Sequence, residues 1–557
     1  MSTRTSERQK NNNFIKQGSI LAAASLIVRM IGMVYRIPMS NILGEEGNGI
    51  YAVAFDIYDI VLIISSYSLP LALSKIISAQ NSEKQYKNTG RTFRCALTFA
   101  LVSGGAFGIL LFAFAEIIEK NVYAQYIGVH IPLRILAPTI FLVALLGVFR
   151  GFFQGKSTMI PTAVSQVIEQ VVNAFVSVFA AYTFMKVHKG SPEQSAWGAA
   201  GGTMGTCLGA LSALLMVMAV YVLYRPVQKR LERRDTHRSM YPASHIYRIL
   251  FLTILPIILS QTVYQISGLI DYYLFGKLMA YKDVDPLTIK SLVGVYSSKY
   301  RLLCSVPIAI STSMASSMIP AAVSAFTQKD DQTLNANILS GIKFNMIIAF
   351  PCAIGYMVLG QPIIRLLFPS SDYVLGGYLM LSGSFAVVFY AISNVTGGAL
   401  QSIDKMSLPV IHSAISLVIH VIILAGFLRF TNVGIFALII GNVTFPIVVS
   451  VLNIMALYRY LHHFHMDFMK TFFIPLSASL WMAIVSFLCF FSFRKLFSLC
   501  TGDYVANALS LMITLLVAVV MYFVVFLLLK GMTKEEMYQF PMGRKMYVMA
   551  RRMKLMK

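Results

Sequence analysis

The sequence has few charged residues, which make up 12% of its 557 positions. A soluble domain carries roughly 25% charged residues, because polar groups have to cover its surface in water. Hydrophobic residues make up 57% of this chain. The balance argues against a water-soluble globular fold and favours a protein whose surrounding solvent is lipid.

Other features are missing as well. The six cysteines are scattered and form no CxxC or metal-type spacing, so we interpret them as small core residues. No Walker motif occurs, which argues against ATP hydrolysis by this chain. Short segments of alternating polarity, typical of membrane β-barrels, are absent. No small-residue cleavage site follows the first apolar run, so we expect no cleaved signal peptide.

Long apolar runs recur along nearly the whole chain. Runs of about 18 or more residues predict an all-α integral membrane protein, here with about fourteen transmembrane helices. Two segments, 49–78 and 287–325, are long for one span, and each has a proline near its end, so we expect a kink or tilt in each. The predicted helices lie at approximately 15–36, 49–78, 92–116, 126–150, 159–186, 196–224, 247–276, 287–325, 338–359, 375–400, 406–428, 433–458, 470–493 and 504–530.

The basic residues predict an orientation. Lys and Arg number 46 against 23 Asp and Glu, a formal net charge of +23. A soluble protein with this charge would suggest a nucleic-acid partner, but these cations fall mostly in loops between apolar runs. With the N-terminus inside, internal segments hold roughly three times as many cations as external loops, so both termini are expected in the cytoplasm.

The chain contains an internal repeat with an offset of about 250 residues, which predicts two six-helix lobes of the same orientation plus two C-terminal helices. We expect a cationic substrate cavity between the lobes. The likeness is carried by Leu69-Pro70-Leu-Ala-Leu-Ser74 with Ile319-Pro320-Ala-Ala-Val-Ser324, Gln154 and Pro161 with Gln401 and Pro409, and, loosely, Gly49-Ile-Tyr51 with Gly294-Val-Tyr296. The predicted segments are a cytoplasmic tail at 1–13, the N-terminal lobe at 14–224, a basic cytoplasmic linker at 225–246, the C-terminal lobe at 247–458, two additional transmembrane helices at 459–530 and a basic cytoplasmic tail at 531–557.

Ionisable residues inside the spans are the candidate functional residues, because a charge in the bilayer costs about 2.5–3.5 kcal/mol on insertion scales. Arg and Lys suit a diphosphate group, and carboxylates would neutralise them between binding events. Snorkelling toward the headgroups, or a structural ion pair, is the competing interpretation. Of Lys299 and Arg301, only one is expected to face inward. The candidate substrate-binding residues are Arg29, Arg36, Asp56, Lys75, Arg134, Glu169 and Arg301.

A coupling cation is a second candidate ligand, since hard cations prefer oxygen ligands. Asp271 could hold it, with Asn442 and Thr444 from another helix; a structural hydrogen bond is the alternative role for Asp271. No cofactor and no resident metal are expected.

Histidines and one acidic motif are interpreted as structural. We expect His412 and His420 to be core or pore-lining residues rather than a proton relay. The histidines His462, His463 and His465 are interpreted as a solvated basic loop rather than a metal site. Asp283-Val-Asp285 matches the DxD pattern of glycosyltransferases, and we interpret the match as chance because no paired catalytic carboxylate lies beside it.

Three motifs resemble a known family of membrane proteins over about residues 14–530. The motifs are Arg29-Met-Ile-Gly-Met-Val-Tyr-Arg36 followed by Gly44-Glu-Glu-Gly-Asn-Gly-Ile-Tyr51, then Arg150-Gly-Phe-Phe-Gln-Gly-Lys156, and Arg301-Leu-Leu-Cys-Ser-Val-Pro307 running on to Ile319-Pro320. They are similar to the MurJ-type lipid II flippases and stage V sporulation protein B. These proteins form the polysaccharide branch of the multidrug/oligosaccharidyl-lipid/polysaccharide exporter superfamily.

The resemblance implies a V-shaped pair of six-helix lobes that works by alternating access. It assigns to Arg29 and Arg301 the role of the family's essential cavity arginines. Tyr35-Arg36 stands where the proteobacterial members have an Arg-Asp pair, and an apolar stretch around Leu62 replaces an arginine of the second helix. These departures match the Gram-positive branch.

The expected function is therefore that of a flippase without a catalytic site. It would translocate undecaprenyl-diphosphate-linked lipid II across the bacterial cytoplasmic membrane, driven by the membrane potential or by Na+ or H+. Its expected partners are the lipid-linked saccharide, membrane lipids and the cell-wall synthesis machinery. Four alternatives stay open, namely another polyprenyl-linked polysaccharide unit, a multidrug/cation antiporter of the same superfamily, a membrane glycosyltransferase or ligase, and a divisome scaffold without transport.

Overall fold

The computed structural model describes residues 2–236, 240–461, 464–538 and 543–552. Within these ranges the regular elements are helices and no strand occurs. His462 and His463 lie outside the described residues. The chain divides into two compact units, Met1–Gly294 and Val295–Lys557. The lobe boundaries given above stay a prediction.

The first unit contains the first eight helices, and a π-helical turn at Ile63–Tyr67 connects the first two. They are α1 (Ser2–Leu62), α2 (Leu69–Ser82), α3 (Tyr86–Asn121), α4 (His130–Gly155), α5 (Ile160–Val187), α6 (Gln194–Arg234), α7 (Ala243–Tyr281) and α8 (Pro286–Val295), the last of which ends one residue past the boundary.

The second unit contains the other ten helices and two π-helical turns, Tyr296–Arg301 and Met469–Phe473. The helices are α9 (Leu302–Thr327), α10 (Asp331–Leu367), α11 (Tyr373–Gly383), α12 (Ala386–Ser402), α13 (Ser407–Phe430), α14 (Phe436–Tyr460), α15 (Ile474–Phe497), α16 (Asp503–Leu528), α17 (Lys534–Tyr538) and α18 (Gly543–Arg552).

Every predicted span coincides with helix in the structure. Among the described residues, 11 helices are long and apolar enough to cross a membrane, or up to 12 if the bent pair α11 and α12 is one span. The first of these candidates, Ile27–Ser82, covers two predicted spans. The 39-residue α7 occupies a further predicted position. The prediction of an all-α, multi-span membrane protein is confirmed.

A single residue folds α1 back on itself. Gly44 has φ 65° and ψ −173°, a left-handed conformation that glycine adopts without a Cβ clash. Helix continues on both sides of it, where the sequence predicts a loop at 37–48. Across the bend, the Asn48 side-chain amide donates a hydrogen bond of 2.8 Å to the Ser40 carbonyl. The two arms of α1 therefore face each other.

The two long predicted segments are interrupted differently. Pro70 lies in the first turn of α2, directly after the π-helical turn, where a missing N–H costs no helical hydrogen bond. In the segment 287–325 the irregularity is the turn Tyr296–Arg301, whereas Pro320 lies inside α9. The interruption of this second segment is therefore far from Pro320, the residue on which the expected kink was based.

Ion pairs connect residues that the predicted topology places at the same side of the membrane. Asp503 pairs with Arg365 and, at 3.1 Å, with Arg494, and all three are predicted outside. Lys343 pairs at 2.7 Å with Glu536; Lys343 lies near the internal end of the predicted span 338–359, and Glu536 lies in the predicted cytoplasmic tail. This pattern agrees with alternating spans, while the sidedness itself stays a prediction.

Candidate functional site

Arg36 lies against two aromatic rings inside the first unit. Its guanidinium carbon is 5.7 Å from the centroid of the Tyr51 ring and 5.6 Å from that of Phe55. The two rings stack at 5.4 Å. The bend at Gly44 makes this contact, because it returns the second arm of α1 to the first. A cation over an aromatic face is stabilised by about 2 kcal/mol or more when it is desolvated.

Polar groups complete the surroundings of Arg36. Tyr35 and Asp59 interact with it electrostatically. The buried Tyr35 hydroxyl accepts a hydrogen bond of 3.3 Å from the Asn173 amide of α5. The aromatic rings cover the planar face of the guanidinium, and its N–H groups project from the edge. This arrangement suits an anion approaching in the plane of the guanidinium.

Glu169 forms an ion pair that the sequence did not indicate. Its Oε2 atom is 2.7 Å from Nη2 of Arg150 in α4, and both side chains are partly buried. The Nε of Arg150 donates to the Ser165 hydroxyl at 2.9 Å. Arg150 entered the sequence interpretation only as part of the motif ending at Lys156, and its proximity to α5 has no local signal.

Arg134 lies in a different setting, on the surface between α3 and α4. Its Nη2 atom is 3.1 Å from Glu116, which also pairs with Lys120 at 2.9 Å. The side chains of Arg134 and Glu116 are 40% and 45% exposed. Within the described part of the chain, the hydrogen-bond partner of Arg134 is thus Glu116 and none of the other predicted site residues. This is the structural ion pair that the sequence left open as an alternative.

Three further predicted residues occupy separate positions in the first unit. Arg29 is exposed, in a stretch of α1 where Met30 and Val34 are also exposed. Lys75 is exposed on α2 and forms no hydrogen bond or ion pair with the residues that the structure describes. Asp56 is half-buried in α1. Burial and then the Asp56 charge raise the pKa of Tyr123, which lies beyond the end of α3.

In the second unit, Lys299 and Arg301 belong to the π-helical turn before α9. Lys299 is fully buried, with its Nζ 2.8 Å from the Ser298 hydroxyl and 5.1 Å from the centroid of the Phe368 ring. Arg301 is half-buried. The π-helical turn shifts the helical register here, so spacing alone could not show which of the two cations is enclosed.

The residues proposed for cation coupling have hydrogen bonds of their own. Asn442 accepts a hydrogen bond of 2.9 Å from Tyr300, and Thr444 donates one of 2.7 Å to the Ile440 carbonyl. Asp271 is buried in α7 of the first unit. Among the described residues, no group of three or more His, Cys, Asp or Glu side chains could hold a metal ion. The coupling role stays a prediction.

The remaining candidates have structural partners. The ring nitrogen Nδ1 of His412 is 2.7 Å from the Asn453 side-chain oxygen, and that of His420 is 2.8 Å from the Gly441 carbonyl. Asp285 accepts hydrogen bonds from the backbone and side chain of Thr288 at the start of α8. These hydrogen bonds lower the pKa of the Asp285 carboxyl. Asp285 thus caps a helix, which favours the interpretation of the DxD match as chance.

A close helix crossing connects α1 and α8. A Cβ atom on Gly49 would lie 2.1 Å from the Lys290 carbonyl oxygen, and one on Gly294 would lie 1.8 Å from that of Glu45. Only glycine permits this backbone approach. These are the glycines that the predicted repeat relates. Beside them, the Lys290 ammonium pairs with Glu46 at 2.5 Å, and Glu46 also accepts a hydrogen bond of 2.6 Å from Ser195.

The family follows from the comparison with known proteins. The family model described as polysaccharide biosynthesis protein matches residues 14–326, more than half of the chain. The chain belongs to this family. A second model, MatE, matches residues 256–427.

Members of related families from Bacillus subtilis (strain 168) are similar over most of their length. Lipid II flippase MurJ is 25% identical over 422 residues, which cover 72% of this chain and 75% of the relative. Stage V sporulation protein B is 21% identical over 440 residues, 79% of this chain and 82% of the relative.

Solved structures agree with the fold. A structure of lipid II flippase MurJ in an inward closed conformation aligns with a TM-score of 0.64 at 15% identity, covering 90% of this chain and 97% of that one. An inward-facing multidrug resistance MATE transporter of the MOP superfamily aligns at 0.62 and 16% identity, covering 79% and 98%. This polysaccharide biosynthesis family member is therefore a multi-pass membrane protein with the fold of these transporters.

Proposed function

We propose that the chain is a flippase for a saccharide linked to a polyprenyl diphosphate, with lipid II as the first candidate substrate. The observation that carries the proposal is Arg36, a half-buried cation held on two aromatic rings within the membrane-spanning part of a polysaccharide biosynthesis family member. A flippase needs a polar path for the headgroup but no catalytic site. The similarity to the lipid II flippase MurJ of Bacillus subtilis supports the substrate class.

In this proposal Arg36 binds the diphosphate through the N–H groups at the edge of its guanidinium, since a planar fork matches phosphate oxygens. Arg29, Lys75 and Arg301 are the further cations proposed to contact the headgroup, whereas Arg134, which is exposed and paired with Glu116, is left out of the proposed binding set. Asp56 and Glu169 would neutralise cations when no substrate is bound. The ion pair of Glu169 with Arg150 supports this role and adds Arg150 to the set.

The energy source in this proposal is an electrochemical gradient. The membrane potential is worth about 2.3 kcal/mol per charge per 100 mV. A Na+ or H+ gradient is the alternative, with Asp271, Asn442 and Thr444 as the proposed coupling residues. We place the protein in the bacterial cytoplasmic membrane with both termini in the cytoplasm, where the cell-wall synthesis machinery supplies the substrate. A sporulation-specific or other polyprenyl-linked saccharide is the alternative cargo.

The MatE match and the MATE structures favour one second candidate, a multidrug or cation antiporter. Depletion of the protein in its host distinguishes the two functions. A flippase predicts accumulation of a lipid-linked saccharide on the inner leaflet, with no change in the accumulation of cationic dyes. Normal distribution of every lipid-linked saccharide, combined with slower dye efflux, would refute the flippase proposal and support the antiporter.

A further inference from the structure

The helix α6 is longer than the hydrocarbon core of a bilayer is thick. The helix Gln194–Arg234 has 41 residues and is therefore about 60 Å long at 1.5 Å per residue. The hydrocarbon core of a bilayer is about 30 Å thick. Val222 and Leu223 are 63% and 80% exposed and are the last strongly exposed apolar pair before the cations begin. Residues 225–234, named the basic helix end below, thus begin at the membrane surface.

The basic helix end is held in place rather than free. Gln228 is buried and accepts a hydrogen bond of 2.6 Å from Lys156 in the loop after α4. Its amide donates to the Tyr86 carbonyl at 3.3 Å and to Glu232 at 2.9 Å. One residue beyond the helix, the buried Asp235 accepts a hydrogen bond of 2.7 Å from the Lys87 backbone.

These contacts separate the charges of the segment by sign. Glu232, its acidic residue, contacts Gln228, and Asp235, directly after the segment, contacts the Lys87 backbone in α3. The surface that remains exposed is cationic and consists of Arg225, Lys229, Arg230, Arg233 and Arg234. Val227, 45% exposed, lies between the first two of these cations. An exposed apolar residue among cations is typical of a helix at the boundary between headgroups and acyl chains.

We propose that the basic helix end binds the phosphate groups of anionic phospholipids in the adjacent leaflet. A juxtamembrane cluster of four to eight Lys and Arg attracts such headgroups, with a gain of about fivefold in affinity per cation near the surface. The docking by Gln228 and Asp235 means that little side-chain and backbone order is lost on binding. The proposal does not depend on the transported substrate, so it stands or falls separately from the proposed function.

The test measures retained lipid on the full-length protein. Protein in mixed micelles of neutral detergent is equilibrated with equal amounts of phosphatidylglycerol and phosphatidylcholine of identical acyl chains, and native mass spectrometry counts the lipids bound. The variant K229Q/R230Q/R233Q/R234Q leaves Gln228 and Asp235 intact. The matched control, K186Q/K189Q/K277Q/K495Q, removes the same charge from exposed lysines at the opposite, predicted external, end.

We expect the parent and the control to prefer phosphatidylglycerol on the order of tenfold or more, and the α6 variant to lose that preference. The inference is overturned if the α6 variant keeps the parent's preference or if the control loses as much. An arm with inorganic phosphate separates the two sources of the anion. Displacement of phosphatidylglycerol by millimolar phosphate would show a site for free phosphate and contradict a lipid site. Melting temperatures within a few degrees of the parent establish that both variants are folded.

Discussion

At the scale of single residues, the intramembrane cations of the first unit differ in the groups that surround them. Arg36 is covered by the Tyr51 and Phe55 rings, Arg150 is paired with Glu169, and Arg134 is paired on the surface with Glu116. An exposed ion pair is worth about 0–1 kcal/mol and is easily exchanged for water. Of these three cations, Arg36 therefore has the surroundings that water replaces least easily.

Substitution of Arg36 is expected to weaken binding of a polyprenyl diphosphate. Hydrogen bonds to a charged group are worth about 1.5–3 kcal/mol, so Arg36→Ala should lower affinity roughly tenfold or more. Arg36→Lys keeps the charge but not the fork and should recover part of the loss. Binding is measured by titration in nanodiscs. Arg134→Gln is the comparison, with an expected change below about twofold; equal losses for Arg36→Ala and Arg134→Gln would contradict the assignment.

Lys156 gives a prediction about pH. Its Nζ atom lies 5.2 Å from the centroids of the Phe152 and Tyr224 rings. Burial lowers the pKa of the Lys156 ammonium from 10.5 to about 8. Below pH 8 the folded and unfolded states are both protonated, and the buried charge destabilises the fold. Between pH 8 and the unfolded value the folded amine loses its proton first, so stability rises with pH.

The measurement is the apparent melting temperature in detergent from pH 7 to pH 10, compared with Lys156→Met. The parent should gain stability relative to this variant above pH 8. If the difference in melting temperature between the parent and Lys156→Met stayed constant with pH, the pKa of Lys156 would not be lowered by the fold.

The residue scale also shows where sequence reasoning ended. Glu169 was predicted because a carboxylate inside an apolar run is conspicuous, and so were the cations around it. Its contact with Arg150 depends on how α4 packs on α5, and the spacing of residues along the sequence does not predict this packing. The Lys290–Glu46 pair was missed for the same reason, because it depends on the crossing of α1 and α8.

At the scale of elements, the crossing of α1 and α8 depends on two glycines. Gly294→Ala would place a Cβ atom 1.8 Å from a backbone oxygen, so the helices must separate. We expect Gly294→Ala and Gly49→Ala to lower the melting temperature and to loosen the Lys290–Glu46 pair.

Thermal melting and disulfide trapping of a Glu46→Cys, Lys290→Cys pair measure these effects. Gly426→Ala in α13 is the matched control, since a Cβ there meets no atom within 4 Å and alanine favours helix by about 1 kcal/mol. The crossing would have no structural importance if Gly294→Ala had the same melting temperature as Gly426→Ala, and if the disulfide of the Glu46→Cys, Lys290→Cys pair formed as fast with Gly294→Ala as without it.

The C-terminal tail gives a second element-scale prediction. Lys343 is 10% exposed and pairs with Glu536 at 2.7 Å, while Met532 and Met537 pack into a core that includes Tyr522 of α16. Removing one member of a buried pair leaves an uncompensated charge. Glu536→Gln should therefore release the tail and make Lys530 and Lys534 several-fold more sensitive to trypsin in limited proteolysis. The exposed Glu193→Gln serves as control; equal cleavage of both variants would show that the pair does not hold the tail.

The helix boundaries show what the sequence could report at this scale. Apolar runs located every span, because lipid exposure selects residues directly. The bend at Gly44 was interpreted as a loop at 37–48, since periodicity cannot distinguish a single left-handed residue from a short connection. The π-helical turns at 63–67, 296–301 and 469–473 have no distinctive residue pattern, so the sequence did not predict them.

At the scale of the whole molecule, the chain is a polysaccharide biosynthesis family member whose fold is shared by flippases and drug transporters. The alignments to MurJ and to MATE transporters have nearly equal TM-scores, 0.64 and 0.62. The fold alone therefore does not identify the transported substrate. The proposed substrate is based on the charged residues inside the membrane-spanning helices. The parallel repeat was predicted from short motifs, and its glycine pair forms the α1–α8 crossing.

The most direct test is headgroup translocation in reconstituted vesicles. Fluorescent lipid II is placed in the inner leaflet, and its arrival outside is followed by an impermeant quencher with an imposed membrane potential. We expect protein-dependent arrival, with Arg36→Ala slowing it on the order of tenfold or more and Arg134→Gln transporting like the parent. Arrival at the rate of protein-free vesicles, or equal rates for the parent and Arg36→Ala, would contradict the account.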